Sequence, residues 1–117
     1  MNNAYILERT MNDYAELKQA LEQGGFTYQK EEADEDVTVT VPADQVGEFA
    51  TVVQKHLNAP YNYVDVKFPN EKTTAIIFAD RIYRINNPVI DEEAKVWAIS
   101  IGLPKEQADW PTFYDQA

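Results

Sequence analysis

The sequence predicts an α+β domain in which an antiparallel sheet of two hairpins carries helices packed on one face. Three observations predict it. Val37-Thr38-Val39-Thr40-Val41 alternates strictly and uses β-branched residues, the mark of a half-buried strand. Val46, Phe49, Ala50, Val53 and Leu57 then recur at i, i+3, i+4 and i+7, the mark of an amphipathic helix. Two pairs of strand-like segments are each joined by a short turn-like connection, Glu32-Ala33-Asp34-Glu35 and Pro69-Asn70-Glu71-Lys72. A chain of 117 residues fits one domain, 1–117, with residues 104–117 as an aromatic tail packed on it.

The elements follow in order. Ala4-Tyr5-Ile6-Leu7 reads as a short buried strand, although Leu7, Met11, Tyr14 and Leu21 would also line a helix begun near Asn3. Asn12-Asp13 is a helix start, because a short side-chain oxygen accepts from the free amides of the first turn; Asp13 and Glu16 stand in capping-box spacing. Tyr14, Leu17, Ala20 and Leu21 continue that helix and Gly24-Gly25 ends it. Phe26 to Gln29 is the next strand. Pairing Tyr28 with Val39 stacks Phe26, Tyr28, Val37, Val39 and Val41 on one face and leaves threonines on the other. Pro42 stops the strand, Asp44 is expected to cap the second helix, and Asn58-Ala59-Pro60 lies beyond its end.

The second hairpin runs from Tyr61 to Phe68 and from Thr73 to about Ala79, with Val64, Val66 and Phe68 on the face of Ala75 and Ile77, and Asp65 opposite Ile76. Asp80-Arg81 is either a turn into a further strand, Ile82 to Ile85, or a bend in a continuing one. Asn87-Pro88 opens the last helix with proline where its missing amide costs nothing, and Asp91-Glu92-Glu93 suit the positive end of its dipole. Ala94, Trp97, Ala98 and Ile101 form its buried stripe, and Gly102 closes it.

This order resembles the ferredoxin-like βαββαβ arrangement with an added C-terminal hairpin strand and helix. The resemblance is one of topology and rests on no motif. A helical start would instead give αββαββα.

Composition narrows the chemistry. Ten basic residues against 20 acidic ones give a formal charge of −10 and a pI near 4.4, a surface that repels phosphate and argues against direct nucleic-acid binding. The absence of cysteine excludes a disulfide framework, a thiol nucleophile and thiolate-held metals, and fits a reducing compartment. Met1 to Arg9 lacks the basic-then-apolar pattern of a secretory signal, and the longest apolar run, Ala75 to Ala79, is far below the ~20 residues that span a bilayer. The expectation is a soluble cytoplasmic chain without a membrane partner.

No catalytic, cofactor or metal set emerges. His56, the only histidine, falls at the margin of the second helix's stripe. Ser100, the only serine, lies inside a helix without a glycine elbow. Four glycines are too scattered for a phosphate loop, and the acidic run lacks calcium-loop spacing. Ala98 to Ala108 imitates helix-turn-helix spacing, yet its second helix would be short, acidic and cut by Pro111, so DNA reading is rejected.

Two features remain as partner-binding candidates. Glu31, Glu32, Asp34, Glu35 and Asp36 crowd one hairpin tip, with Glu31 opposite Asp36, and the alternative role for such a run is a solvated turn that blunts a sheet edge. Tyr61 and Tyr63 share a face with Asp65, Lys67, Ile76 and Phe78 that is too apolar to be left wet, so the terminal helix and the Trp110–Tyr114 tail, or a partner, should cover it. The functional expectation is an acidic, non-enzymatic protein-binding module facing a basic protein surface, acting as an inhibitor or nucleic-acid mimic. The alternatives are a homodimeric small-ligand-sensing regulatory domain of ferredoxin-like type and, third, a carboxylate-based enzyme.

Overall fold

Asn3–Ile6 forms a strand (β1) and lies inside the sheet, with neighbours on both sides. Ala4 stands opposite Val39 on one side and Val66 on the other, so pairing on two sides decides for strand over helix. The computed structural model describes residues 3–7, 10–30 and 37–114. Its further strands are β2 (Thr27–Lys30), β3 (Val37–Thr40), β4 (Val64–Phe68), β5 (Thr73–Ile77) and β6 (Ile82–Ile85). Its helices are α1 (Tyr14–Gln23), α2 (Val46–Gln54) and α3 (Pro88–Ser100).

The strands form one antiparallel sheet ordered β2-β3-β1-β4-β5-β6. Because β3 lies antiparallel between β1 and β2, those two run parallel, joined through α1; β3 and β4 are related in the same way through α2. This is the ferredoxin-like order, extended by β5 and β6. The expected registers are present: Tyr28 faces Val39, Val66 faces Ala75, and Asp65 faces Ile76. Asp80 and Arg81 do turn the chain, with Phe78 N–H donating to Arg81 O at 2.8 Å, and β6 pairs with β5.

Local chemistry explains the ends of the helices. Asp13 caps α1 by accepting from Glu16 N–H at 3.2 Å, and Gly25 takes the left-handed backbone (φ 81°) just past its end. Asn87 accepts from Ile90 N–H at 3.0 Å and Pro88 fills the first turn of α3. The capping role expected of Asp44 is corrected. Pro42 leads directly into a 3-10 turn, Ala43–Gln45, with Gln45 N–H on Pro42 O, so Asp44 lies inside that turn and makes no cap bond.

Side chains alternate across the sheet and build two cores. On the inner face Ile6, Val37, Val39, Val66, Ala75 and Ile77 meet Leu17 and Leu21 of α1 and Phe49, Ala50 and Val53 of α2. Phe26 packs edge-on against Phe49, with ring centroids 5.6 Å apart. On the outer face Ile76, Phe78 and Ile85 meet Ala94 and Ala98 of α3, with Leu103, Ala108 and Trp110 from the tail. The one-face arrangement therefore holds for α1 and α2, while α3 lies on the opposite face and supplies the cover that face requires. Its outward side leaves Val89, Val96 and Ile99 exposed.

Candidate functional site

The tail is held to the sheet by directed hydrogen bonds as well as by burial. Asp91, buried on α3, accepts from Trp110 Nε1 at 2.9 Å and from Tyr114 OH at 2.8 Å, and pairs with Lys95 at 3.4 Å. Thr74, fully buried on β5, donates its hydroxyl to Pro111 O at 2.7 Å. Tyr63 OH donates to Gln107 O at 3.2 Å, and its ring packs edge-on against Trp110 at 5.4 Å and beside Phe78 at 5.8 Å. The Trp110 bond to the Asp91 carboxylate, charge-assisted and buried, is the strongest kind among these.

Among the described residues, this arrangement covers the half of the outer face over β5 and β6. Beyond β4, toward β2, the outward residues Asn3, Tyr5, Thr38, Thr40, Thr27 and Gln29 are exposed or half-buried. Where the bare half meets the tail, the chain forms a groove of about 460 Å³. Its strand wall carries Tyr5, Asp65 and Lys67; its loop wall carries Tyr61, Asn62 and Tyr63; its tail wall carries Glu106, Gln107 and Asp109. A second lobe, of about 590 Å³, shares Thr10, Tyr61, Asn62 and Gln107 with the first and adds Asn58, Gly102 and Pro104. Tyr61 stands between the lobes beside Gly102, whose φ of 112° suits glycine; a Cβ there would lie 3.6 Å from the Tyr61 ring.

Among the described residues, three carboxylates (Asp65, Glu106 and Asp109) and the Lys67 ammonium group line the first lobe. Burial pushes the Asp65 carboxyl above the usual carboxylate range, and Lys67 only partly opposes this. Tyr63 is pushed up to about 12, by burial first and then by the charges of Asp65 and Asp109. A carboxyl whose folded pKa is raised contributes stability that is present below its unfolded value and lost as pH rises through the folded value. Asp65→Asn should therefore gain stability relative to the parent chain as pH rises from about 4 to about 7. Urea unfolding of both proteins at the two ends of that range checks it, and a constant or shrinking difference contradicts it.

The sequence candidates fall into two groups. Tyr61 and Tyr63 both line the groove, Tyr61 exposed and Tyr63 half-buried beneath the tail. Glu31, Glu32, Asp34, Glu35 and Asp36 lie outside the described residues. Sequence reasoning missed Tyr5, Glu106, Gln107 and Asp109 as groove residues. Tyr5 carried a signal, an aromatic on the outward side of a strand; the tail residues carried none, because their position depends on the Asp91 and Thr74 bonds. His56 Nδ1 lies 2.9 Å from Val52 O, which requires a proton on that nitrogen, and Nε2 is 3.6 Å from Glu16. Ser100 donates to Trp97 O at 2.6 Å. Both side chains thus bond within or beside their own helices. Among the described residues no group of three or more His, Cys, Asp or Glu is placed to hold a metal ion, and no helix is long and apolar enough to cross a membrane.

Comparison of the chain with protein-family models, with curated proteins and with solved structures finds no match.

Proposed function

We propose that this protein is a non-enzymatic protein-binding module that engages a basic surface of a partner. The observation that carries this reading is the groove beside the tail, where exposed tyrosine faces stand among Asp65, Glu106 and Asp109 in a chain of net charge −10. Tyrosine supplies large contact area with little rotamer entropy to lose, and carboxylates steer a basic surface toward it. The groove is open and a lysine lies among its acids, an arrangement suited to charge complementarity along a surface. A partner whose basic cleft ordinarily holds phosphate would meet carboxylates in its place, the action of a nucleic-acid mimic or inhibitor.

The test is displacement. Nucleic-acid-binding proteins from a cell extract are loaded on immobilised DNA and challenged with this protein at about physiological salt, where the screening length is about 8 Å. The expected result is stoichiometric release of one or a few basic proteins, lost as salt rises. Release no better than that produced by an unrelated acidic protein of equal size and charge would count against the reading.

A further inference from the structure

The geometry points to an extended basic peptide segment as the occupant of the two-lobed groove, with a lysine or arginine side chain in the first lobe and its backbone in the second. This rests on the protein-binding reading above and says where and how that binding occurs.

The two lobes differ in chemistry. The first places Asp65, Glu106 and Asp109 around Tyr5, Tyr61 and Tyr63, so a cation entering it meets an excess of negative charge and aromatic faces together. Cations gain from both, and an aromatic face favours a cation more strongly when water is partly excluded. Among the described residues Lys67 is the only basic one lining either lobe, and it accompanies Asp65 two residues away on β4. None of the described residues that line the second lobe is charged. Its polar wall carries the amides of Asn58, Asn62 and Gln107 with the Thr10 hydroxyl oxygen, whose proton is donated to Leu7 O at 2.7 Å. Primary amides offer a donor and an acceptor on one group, the pairing that a peptide backbone requires. Asn62 Nδ2 donates to Asn58 Oδ1 at 2.5 Å, which joins two of these amides. Gly102 and Pro104 add little side-chain bulk here, and Tyr61 and Asn62 join the two lobes. A single side chain would not use the second lobe. A chain segment uses both.

The probe is a five-residue peptide, acetylated and amidated, with one central lysine flanked by alanines; an arginine version and a norleucine version accompany it. Binding to the full-length protein is followed by amide chemical shifts. The lysine and arginine peptides should move Thr10, Asn62, Gln107 and Asp109, and norleucine should abolish the effect. Asp65→Asn with Asp109→Asn should weaken lysine-peptide binding about tenfold, the scale of two lost charge contacts. Glu48→Gln with Glu71→Gln, which removes the same total charge at exposed positions elsewhere, should change it less than about twofold. Equal weakening by the two pairs, or shifts scattered over the acidic surface, would overturn the groove assignment while leaving a charge-driven binding function intact. No binding of any peptide also overturns it; failure of the displacement experiment as well would remove both readings.

Discussion

Replacing Trp110 by alanine should cost about 3–5 kcal/mol and release the tail, because the indole is at once the largest wedge of the outer core and a hydrogen-bond donor to Asp91. Trp110 is 5% exposed and packs against both Tyr63 and Phe78, so its removal opens a cavity that the strands beneath cannot collapse to fill. It also leaves the buried Asp91 with one donor fewer, an unfavourable change in a site sheltered from water. Thermal unfolding should fall by on the order of 10 °C. Trypsin reports the tail directly: Lys105 is exposed at the start of a 3-10 turn whose neighbours are held down, and its cleavage should accelerate in the variant. Unchanged cleavage with unchanged stability would show that the tail is held by something other than this wedge. The groove proposed as the binding site would be lost with the tail, since Glu106, Gln107 and Asp109 belong to that segment.

Phe49→Ala should be at least as costly, about 3–5 kcal/mol, but through the other core. Phe49 is fully buried on α2 and takes the edge of Phe26 at 5.6 Å, tying the end of α1, the start of β2 and α2 into one contact. A domain of this size has about 5–15 kcal/mol of stability in all, so much of it goes with one ring. The two variants should part in hydrogen exchange. Phe49→Ala should raise exchange throughout the sheet, because β1 and β3 lie over the same core. Trp110→Ala should raise it mainly in β5, β6 and α3, leaving β1 and β3 protected. Identical exchange patterns would mean that the two cores unfold as one unit.

Much of the fold was legible because its signals are local. Val37 to Val41 alternates without interruption, so a slip of one residue against Tyr28 would send its valines to the wrong face; the register follows. The same argument placed Asp65 opposite Ile76. Asn87-Pro88 and Asp13 announced their helix starts through groups that act within one turn. Asp44 misled, since a good capping residue was present but the chain entered the helix through a tighter turn. Of the candidate site Tyr61, Tyr63, Asp65 and Lys67 were legible, as residues that share the outward face of a hairpin. Their neighbours Glu106 and Asp109 belong to a segment without periodicity.

By itself, then, the order of residues determined which segments beyond the first become strands and helices, which way their side chains face, and the strongly negative field of the whole. Those properties depend on neighbours a few positions apart. Tertiary structure decided that Asn3–Ile6 would pair on two sides as a strand, that α3 and the tail rather than a partner would cover the outer face beside β4, and that residues near 5, 61 and 106 would line one groove. The physical reason is that such positions are set by long-range burial and by buried bonds such as Trp110 to Asp91, whose partners lie 19 positions apart and leave no pattern in the intervening chain.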